Sequence, residues 1–453
     1  MFMYVLVVLF FIASFLDFKR SVQVYIFIRL FLPSSLSLIN VPNLPLISFE
    51  RVLIFILILM YLKYLVEKPR KKRELSHFPY KKAFLLLTTG LIIITVNTTM
   101  PLKSSVFNLV SILIEYFVIM IIVWSVFDNK NEIMFVFKGL FFVYSIIMVY
   151  GILTKIYNYN PYIEYIQENY SSHSRQLLYS YDDISRGGIY GRIQSTFLHP
   201  ITYGGHIVII FPYIITFYMF SRFVKRFYYL LLIILSAVSL IFINSRSPII
   251  FISIILIGMF ILNKGTFWVR FAFVTTLVFV LVISLRSYFQ GYYDTLINSI
   301  FFWRTNTALG GSTLYNRQIQ LLTAFSYFMK SPITGFGLTK TREIVVFGME
   351  KNFYGGESFL YELLIDQGII GIICWGFMFY VLYHSFQRMT KIVKDNFSKV
   401  LLHQTMFMII GYVVFILVTG ELQTLTTFLI IIALIAKYMF FIIKNLDKNT
   451  AAV

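Results

Sequence analysis

The stretch Gly356-Glu-Ser-Phe-Leu-Tyr-Glu-Leu-Leu-Ile-Asp-Gln-Gly-Ile-Ile-Gly371 marks the point where a long polar segment turns into an apolar run that continues to residue 386. A run of that length covers the ~20 residues an α-helix needs to cross a bilayer, so the chain reads as entering a membrane here. Carboxylates at such a boundary are informative. Ionisable groups are expensive in hydrocarbon and are kept where they face protein, water or a substrate.

Working outward, the same pattern recurs. Apolar runs centred on 2–17, 22–38, 47–66, 82–97, 104–127, 133–155, 201–220, 227–243, 248–263, 267–285, 358–386, 400–418 and 421–443 predict about thirteen spans. With 58% hydrophobic and only 13% charged residues, a soluble domain is excluded, and the expected fold class is all-α: one polytopic transmembrane bundle over 1–453. The net charge of +19 would suggest nucleic acid in a soluble chain. Here the basic residues lie between apolar runs, where cytoplasmic loops retain them, so no nucleic-acid partner is expected. Cys374, the only cysteine, sits inside an apolar run and offers neither a disulfide nor a thiolate metal site.

The first run is followed by Lys19 and Arg20, the reverse of a cleavable signal peptide, and reads as a retained helix with its N-terminus outside. Threading from there puts Lys68 to Lys82, Lys130, Arg222 to Arg226, Lys264 to Arg270, Arg388 to Lys399 and Lys444 to Lys448 on one side with the C-terminus. By the positive-inside rule that side is the cytoplasm. Two long polar segments, 156–200 and 286–357, then fall outside. Both are rich in aromatic residues, which argues against disordered linkers, and long ordered loops on a bundle usually carry function. The cytoplasmic loops hold no nucleotide-binding motif.

The first external segment ends Arg186-Gly-Gly-Ile-Tyr-Gly-Arg192 and runs on to His199-Pro200. Arginine's planar fork of donors suits phosphate oxygens, and glycines let a backbone approach a ligand closely. Pairing with Asp182 and Asp183 is the plainer role for both arginines. His199 is read as substrate-binding or as ordering the start of the helix, and His206 as an interior histidine. Arg246, in the turn Asn244-Ser-Arg-Ser-Pro248, is either held for an anion or snorkels to headgroups. In the second segment, Tyr315-Asn-Arg317 opens a helix whose apolar residues Ile319, Leu322, Phe325 and Phe328 recur at helical spacing up to Pro332. Seven Arg and Lys against four Asp and Glu make 286–357 mildly cationic. No His, Cys and carboxylate set has metal-ligand spacing, so neither metal nor cofactor is expected.

Together, the Arg192 segment, Ser-Arg246-Ser, Tyr-Asn-Arg317, Pro332-Ile-Thr-Gly-Phe-Gly337, Glu357-Ser-Phe-Leu and Asp366-Gln-Gly-Ile-Ile-Gly371 resemble the O-antigen ligase and polysaccharide repeat-unit polymerase family over roughly 185–385. The resemblance implies a membrane-embedded glycosyltransferase at the outer face of the bacterial cytoplasmic membrane. Its substrates would be glycans on undecaprenyl diphosphate, used without nucleotide sugar or metal, and its neighbours a flippase and a chain-length regulator as well as membrane lipids. Ligases of the family carry histidine where this chain has Glu357, which favours the polymerase branch.

On that reading, a growing glycan leaves one carrier diphosphate for a hydroxyl of the next lipid-linked unit. Arg317, Arg192 and Arg246, with Arg186, Tyr315 and His199, would bind the diphosphate and substrate, and Glu357 would take the acceptor proton. A helix-terminal carboxylate favoured by the macrodipole is the alternative role for Glu357. Glu362 and Asp366, deeper in the span, read as structural. An O-antigen ligase or protein O-oligosaccharyltransferase differs only in acceptor. A lipid-linked glycan flippase would instead gather ionisable residues at mid-membrane; Arg29, Glu115 and Glu421 are the few within or beside spans.

Overall fold

The computed structural model describes residues 2–32, 37–39, 47–69, 74–170, 192–243, 245–262, 314–350, 353 and 358–450. Among these the chain is helical apart from a two-stranded antiparallel ribbon pairing Ser37–Ile39 with Ile47–Ser48. The helices are α1 (Phe2–Leu16), α2 (Phe18–Ile28), α3 (Phe49–Glu67), α4 (Lys81–Val96), α5 (Leu102–Val126), α6 (Lys130–Ile156), α7 (Pro161–Tyr170) and α8 (Pro200–Phe220). They continue with α9 (Phe223–Ile243), α10 (Arg246–Leu262), α11 (Leu314–Lys330), α12 (Lys340–Phe347), α13 (Phe359–Ile392), α14 (Asn396–Thr419) and α15 (Leu425–Thr450).

Seven helical segments are long and apolar enough to cross a membrane, namely α5, α6, α8, α9, α13, α14 and Leu422–Asn445, while α1 and α10 contain shorter apolar helices. Of the thirteen expected spans, those over 2–17, 22–38, 47–66, 82–97 and 248–263 fall short of that standard, and two of them show why. The run expected over 22–38 is helical from Phe18 to Ile28 with a 3₁₀ turn Arg29–Phe31, because Asp17 accepts from the Arg20 N–H and starts the helix early. The run over 47–66 becomes α3, but Glu50, Arg51 and Lys63 make it too charged for an ordinary span, and two of these charges are used inside the protein. The span expected over 267–285 lies outside the described residues.

α8 and α15 form the centre. A helix apolar all round is a core helix, and residues 202–217 of α8 are all buried. Two of its tyrosines find partners for their hydroxyls: Tyr203 donates to Ser239 at 3.1 Å and Tyr213 to Thr405 at 3.3 Å. α10 and α14 approach through reciprocal glycines. A Cβ on Gly411 would lie 2.4 Å from the Phe251 ring, and one on Gly258 2.2 Å from that of Phe407, so each helix seats a phenylalanine of the other. Small residues serve this purpose in lipid, where close contact replaces the hydrophobic drive. Cys374 is free and buried, and its sulfur fills the space a Cβ on Gly90 would need.

The connecting segments gather at two ends. At the basic end, Lys19 pairs with Asp128 and Glu132, and the fully buried Lys437 bonds Glu74 at 2.8 Å beside the rings of Trp124, Phe440 and Phe441. At the other end, the Thr196 hydroxyl donates to the Leu30 carbonyl, Ile193 N–H to Phe242, and the Asn108 side chain to Leu338. These bonds bring the described parts of both long polar segments onto one face of the bundle.

Candidate functional site

The site is built around a break in α13. Ser358 caps its start, accepting from Leu360 N–H at 3.1 Å and donating to the Leu417 carbonyl at the end of α14. After one turn the helix widens into a π segment, Leu363–Gln367, and breaks at Gly368, whose φ is 58°. Such a break frees backbone groups that lipid cannot satisfy. The loop 332–337 satisfies them: Phe336 N–H donates to Ile365 and Gly337 N–H to Asp366, both at 2.9 Å, while Ile369 donates to Pro332 at 2.9 Å and Ile370 to Ile333 at 3.2 Å.

This stitching explains two of the sequence motifs at once. Gly335 has φ 64° and a Cβ there would sit 2.4 Å from the Asp366 carbonyl carbon; one on Gly368 would sit 2.7 Å from Gly335 N, Ile333 O and Pro332 O. Only glycine fits either place. Asp366 is consumed structurally, accepting from Thr341 N–H at 2.6 Å and Thr341 Oγ1 at 2.7 Å, and Gln367 accepts from Trp375 Nε1 at 3.0 Å. The Phe336 carbonyl accepts from Thr99 N–H and from both the Thr98 and Thr99 hydroxyls, fixing the loop to the α4–α5 turn. Gly368→Ala is expected to remove activity while the protein still inserts, and to lower the melting temperature in detergent by several degrees, roughly the effect of 1–3 kcal/mol. A variant of wild-type activity and stability would refute the stitched break.

Three of the expected arginines lie at this end. Arg317, on the first turn of α11, donates through Nη1 to the Val418 carbonyl at 2.7 Å, and its own carbonyl accepts from the Tyr361 hydroxyl at 3.1 Å. Arg246 is exposed at the first residue of α10, close enough for the Arg317 charge to act on it. Arg192 donates through Nε to the Ile243 carbonyl at 3.1 Å, three residues before Arg246. Two guanidinium groups held within each other's field repel unless an anion lies with them. His199 caps α8, its Nδ1 accepting from Ile201 N–H at 3.0 Å, and His206 is buried, stacked on Phe197 at 4.5 Å. Arg186 and Glu357 lie outside the described residues, as does the side chain of Tyr315.

Sequence reasoning did not see the group of charges that meets this site from the N-terminal half. Arg29 pairs with Glu50 at 3.1 Å and donates to the Thr427 hydroxyl at 2.6 Å; Arg51 pairs with Glu115 at 2.7 Å. Tyr116 lies in the field of Glu115, Tyr412, Glu362 and Glu50, and Glu362 in that of Asp366 and Glu421. Glu115, Tyr116, Glu362 and Glu421 are each half-buried, and Tyr116 and Glu362 connect the four electrostatically. Arg29, Glu115 and Glu421 stood out in the sequence as charges within or beside spans; what it could not show was that they converge.

Glu421 lies in the turn between α14 and Leu422–Asn445. Burial pushes its carboxyl up from 4.5 to about 7, with the Thr202 hydroxyl and the Gln423 N–H pulling partly back. The folded protein therefore keeps a proton that the unfolded chain releases between these values. This contribution to stability is complete below about pH 4.5 and is lost as pH rises through about 7. Melting temperatures in detergent are expected to fall over that window, and Glu421→Gln to flatten the fall. An unchanged pH slope in the variant would sink the assignment.

A bundle with seven membrane-length apolar helices among its described residues, one of them broken, is a polytopic membrane protein. Residues 230–376 match the O-antigen ligase family model. The match takes in Arg246, Arg317, the 332–337 loop and the break at Gly368, and leaves Arg192 and the N-terminal charges outside it. The family is one of enzymes that act on glycans in the membrane. Comparison with curated proteins gives no match.

Proposed function

We propose that this protein polymerises oligosaccharide repeat units carried on undecaprenyl diphosphate, for capsule, exopolysaccharide or O-antigen, with its basic end in the cytoplasm and the broken helix at the outer face. The observation that carries the reading is the closeness of Arg246 and Arg317 beside that helix. In the transfer, the bond between the anomeric carbon and the diphosphate oxygen breaks and a bond from the acceptor hydroxyl oxygen to that carbon forms. The leaving diphosphate gains negative charge, which fixed guanidinium groups stabilise more in the transition state than before it. Arg317 and Arg246 serve this role, with Arg192 beside them. The acceptor proton goes to a carboxylate, and Glu357, the residue before the anchored Ser358, is the base we assign.

Disruption of the protein in its host tests this. Loss of a polymerase leaves single repeat units exposed on the carrier, whereas loss of a ligase leaves long chains on the carrier. Glu357→Gln at normal expression with undiminished polymer length would remove the base assignment. A second reading, transport of the same lipid-linked glycan, gains from the convergence of Arg29, Glu115 and Glu421. It predicts that repeat units stay protected on the cytoplasmic side after disruption.

A further inference from the structure

We infer that Glu50, Arg51, Glu115 and Tyr116 form a subsite for the hydroxyl groups of the acceptor glycan, separate from the arginines that take the diphosphate. The inference rests on the glycan-transfer reading above and names where its second substrate lies.

The backbone is the first observation. α5 carries a π segment, Leu113–Val118, the second among the described spans after the one in α13. A π segment inserts a residue at the expense of regular helix bonding and is found mainly where a side chain is redirected for use. This one holds Glu115 and Tyr116.

The second observation is the balance of charge. Arg29 and Arg51 are matched one to one by Glu50 and Glu115, so these pairs leave no surplus positive charge for a diphosphate, in contrast to Arg246 and Arg317. A neutral ligand rich in hydroxyls needs no such surplus. The Arg51–Glu115 pair keeps 36% and 24% of its side-chain surface accessible, offering both a fork of donors and carboxylate acceptors. Tyr116 adds a ring and a hydroxyl between that pair and Glu362 on the broken helix. Donors, acceptors and an aromatic face brought together are what a sugar requires.

The test uses the full chain purified in detergent and two probes: the repeat-unit oligosaccharide released without lipid from the host's own polysaccharide, and inorganic pyrophosphate. Glu115→Gln and Tyr116→Ala are each expected to weaken oligosaccharide binding about tenfold, the equivalent of one or two lost hydrogen bonds, and to leave pyrophosphate binding within about twofold. Arg246→Gln should do the reverse. Tyr116→Phe, which keeps the ring and its packing, should fall between wild type and Tyr116→Ala. Wild-type protein that does not bind the oligosaccharide, or variants that alter both probes alike or neither, would overturn the subsite. Polymer length unaffected by disruption in the host, with selective oligosaccharide binding intact, would overturn polymerisation alone and leave the subsite standing.

Discussion

Arg317→Lys is expected to lower polymer formation about 10²–10³-fold at unchanged protein level, the range seen when one preorganised transition-state donor is removed. The reason is geometric. Arg317 already spends one nitrogen on the Val418 carbonyl, which ties α11 to the end of α14, and its backbone carbonyl is held by Tyr361. A guanidinium can keep that tether and still present its remaining donors to phosphate oxygens. A lysine ammonium is a single point on a flexible stem and has to choose between them. The effect should appear in turnover more than in apparent affinity for the lipid-linked unit, because charge on the diphosphate grows as the bond breaks. Arg317→Lys with full turnover would show that bidentate contact is not used, and the Arg246–Arg317 pair would lose its catalytic meaning.

Glu50→Leu is expected to destabilise the protein by about 3–5 kcal/mol, because it strands the buried Arg29 charge. Arg29 is enclosed, with 5% of its side-chain surface accessible against 12% for Glu50, and it links α2, α3 and α15 through Glu50 and Thr427. Tyr25 donates a further bond to Glu50 at 3.3 Å. Removing both charges should cost much less than removing one, since no ion is then left without its partner. The measurement is thermal unfolding in detergent: a large drop for Glu50→Leu and recovery of most of it in the Arg29→Met, Glu50→Leu double variant. A double variant as unstable as the single one would mean that Glu50 acts through packing and not through its charge.

These two predictions stand in different relations to the sequence. Arg317 was visible as the opening of an amphipathic stretch and as part of a motif, and α11 indeed runs Leu314–Lys330. The apolar runs were legible because a bilayer demands length and hydrophobicity together, which composition records residue by residue. Arg29 was legible only as an isolated charge, and Glu50 did not stand out at all. Their partners are 21 residues apart in one case and 398 in the other, and no local pattern encodes such a meeting. Asp366 shows the converse. Its place deeper in the span suggested a structural role, and its bonds to Thr341 supply the partner that 25 residues of sequence separation had hidden.

The opening stretch from Gly356 to Gly371 divides in the same way. By itself the sequence determined that a polar segment meets a membrane-length helix there, because the switch in hydrophobicity is a local property. It also determined that glycines recur in both the 332–337 and 366–371 segments. Only the tertiary structure decided that those glycines face one another, that the helix between them is broken, and that the loop's amides and carbonyls close the break. It likewise decided that Arg246 and Arg317 share a field, and that carboxylates from α3, α5 and α13 meet around Tyr116 and Glu362, with Glu421 beside them. Electrostatic and hydrogen-bond energies depend on distance in space, and for these residues that distance is set by how the helices pack.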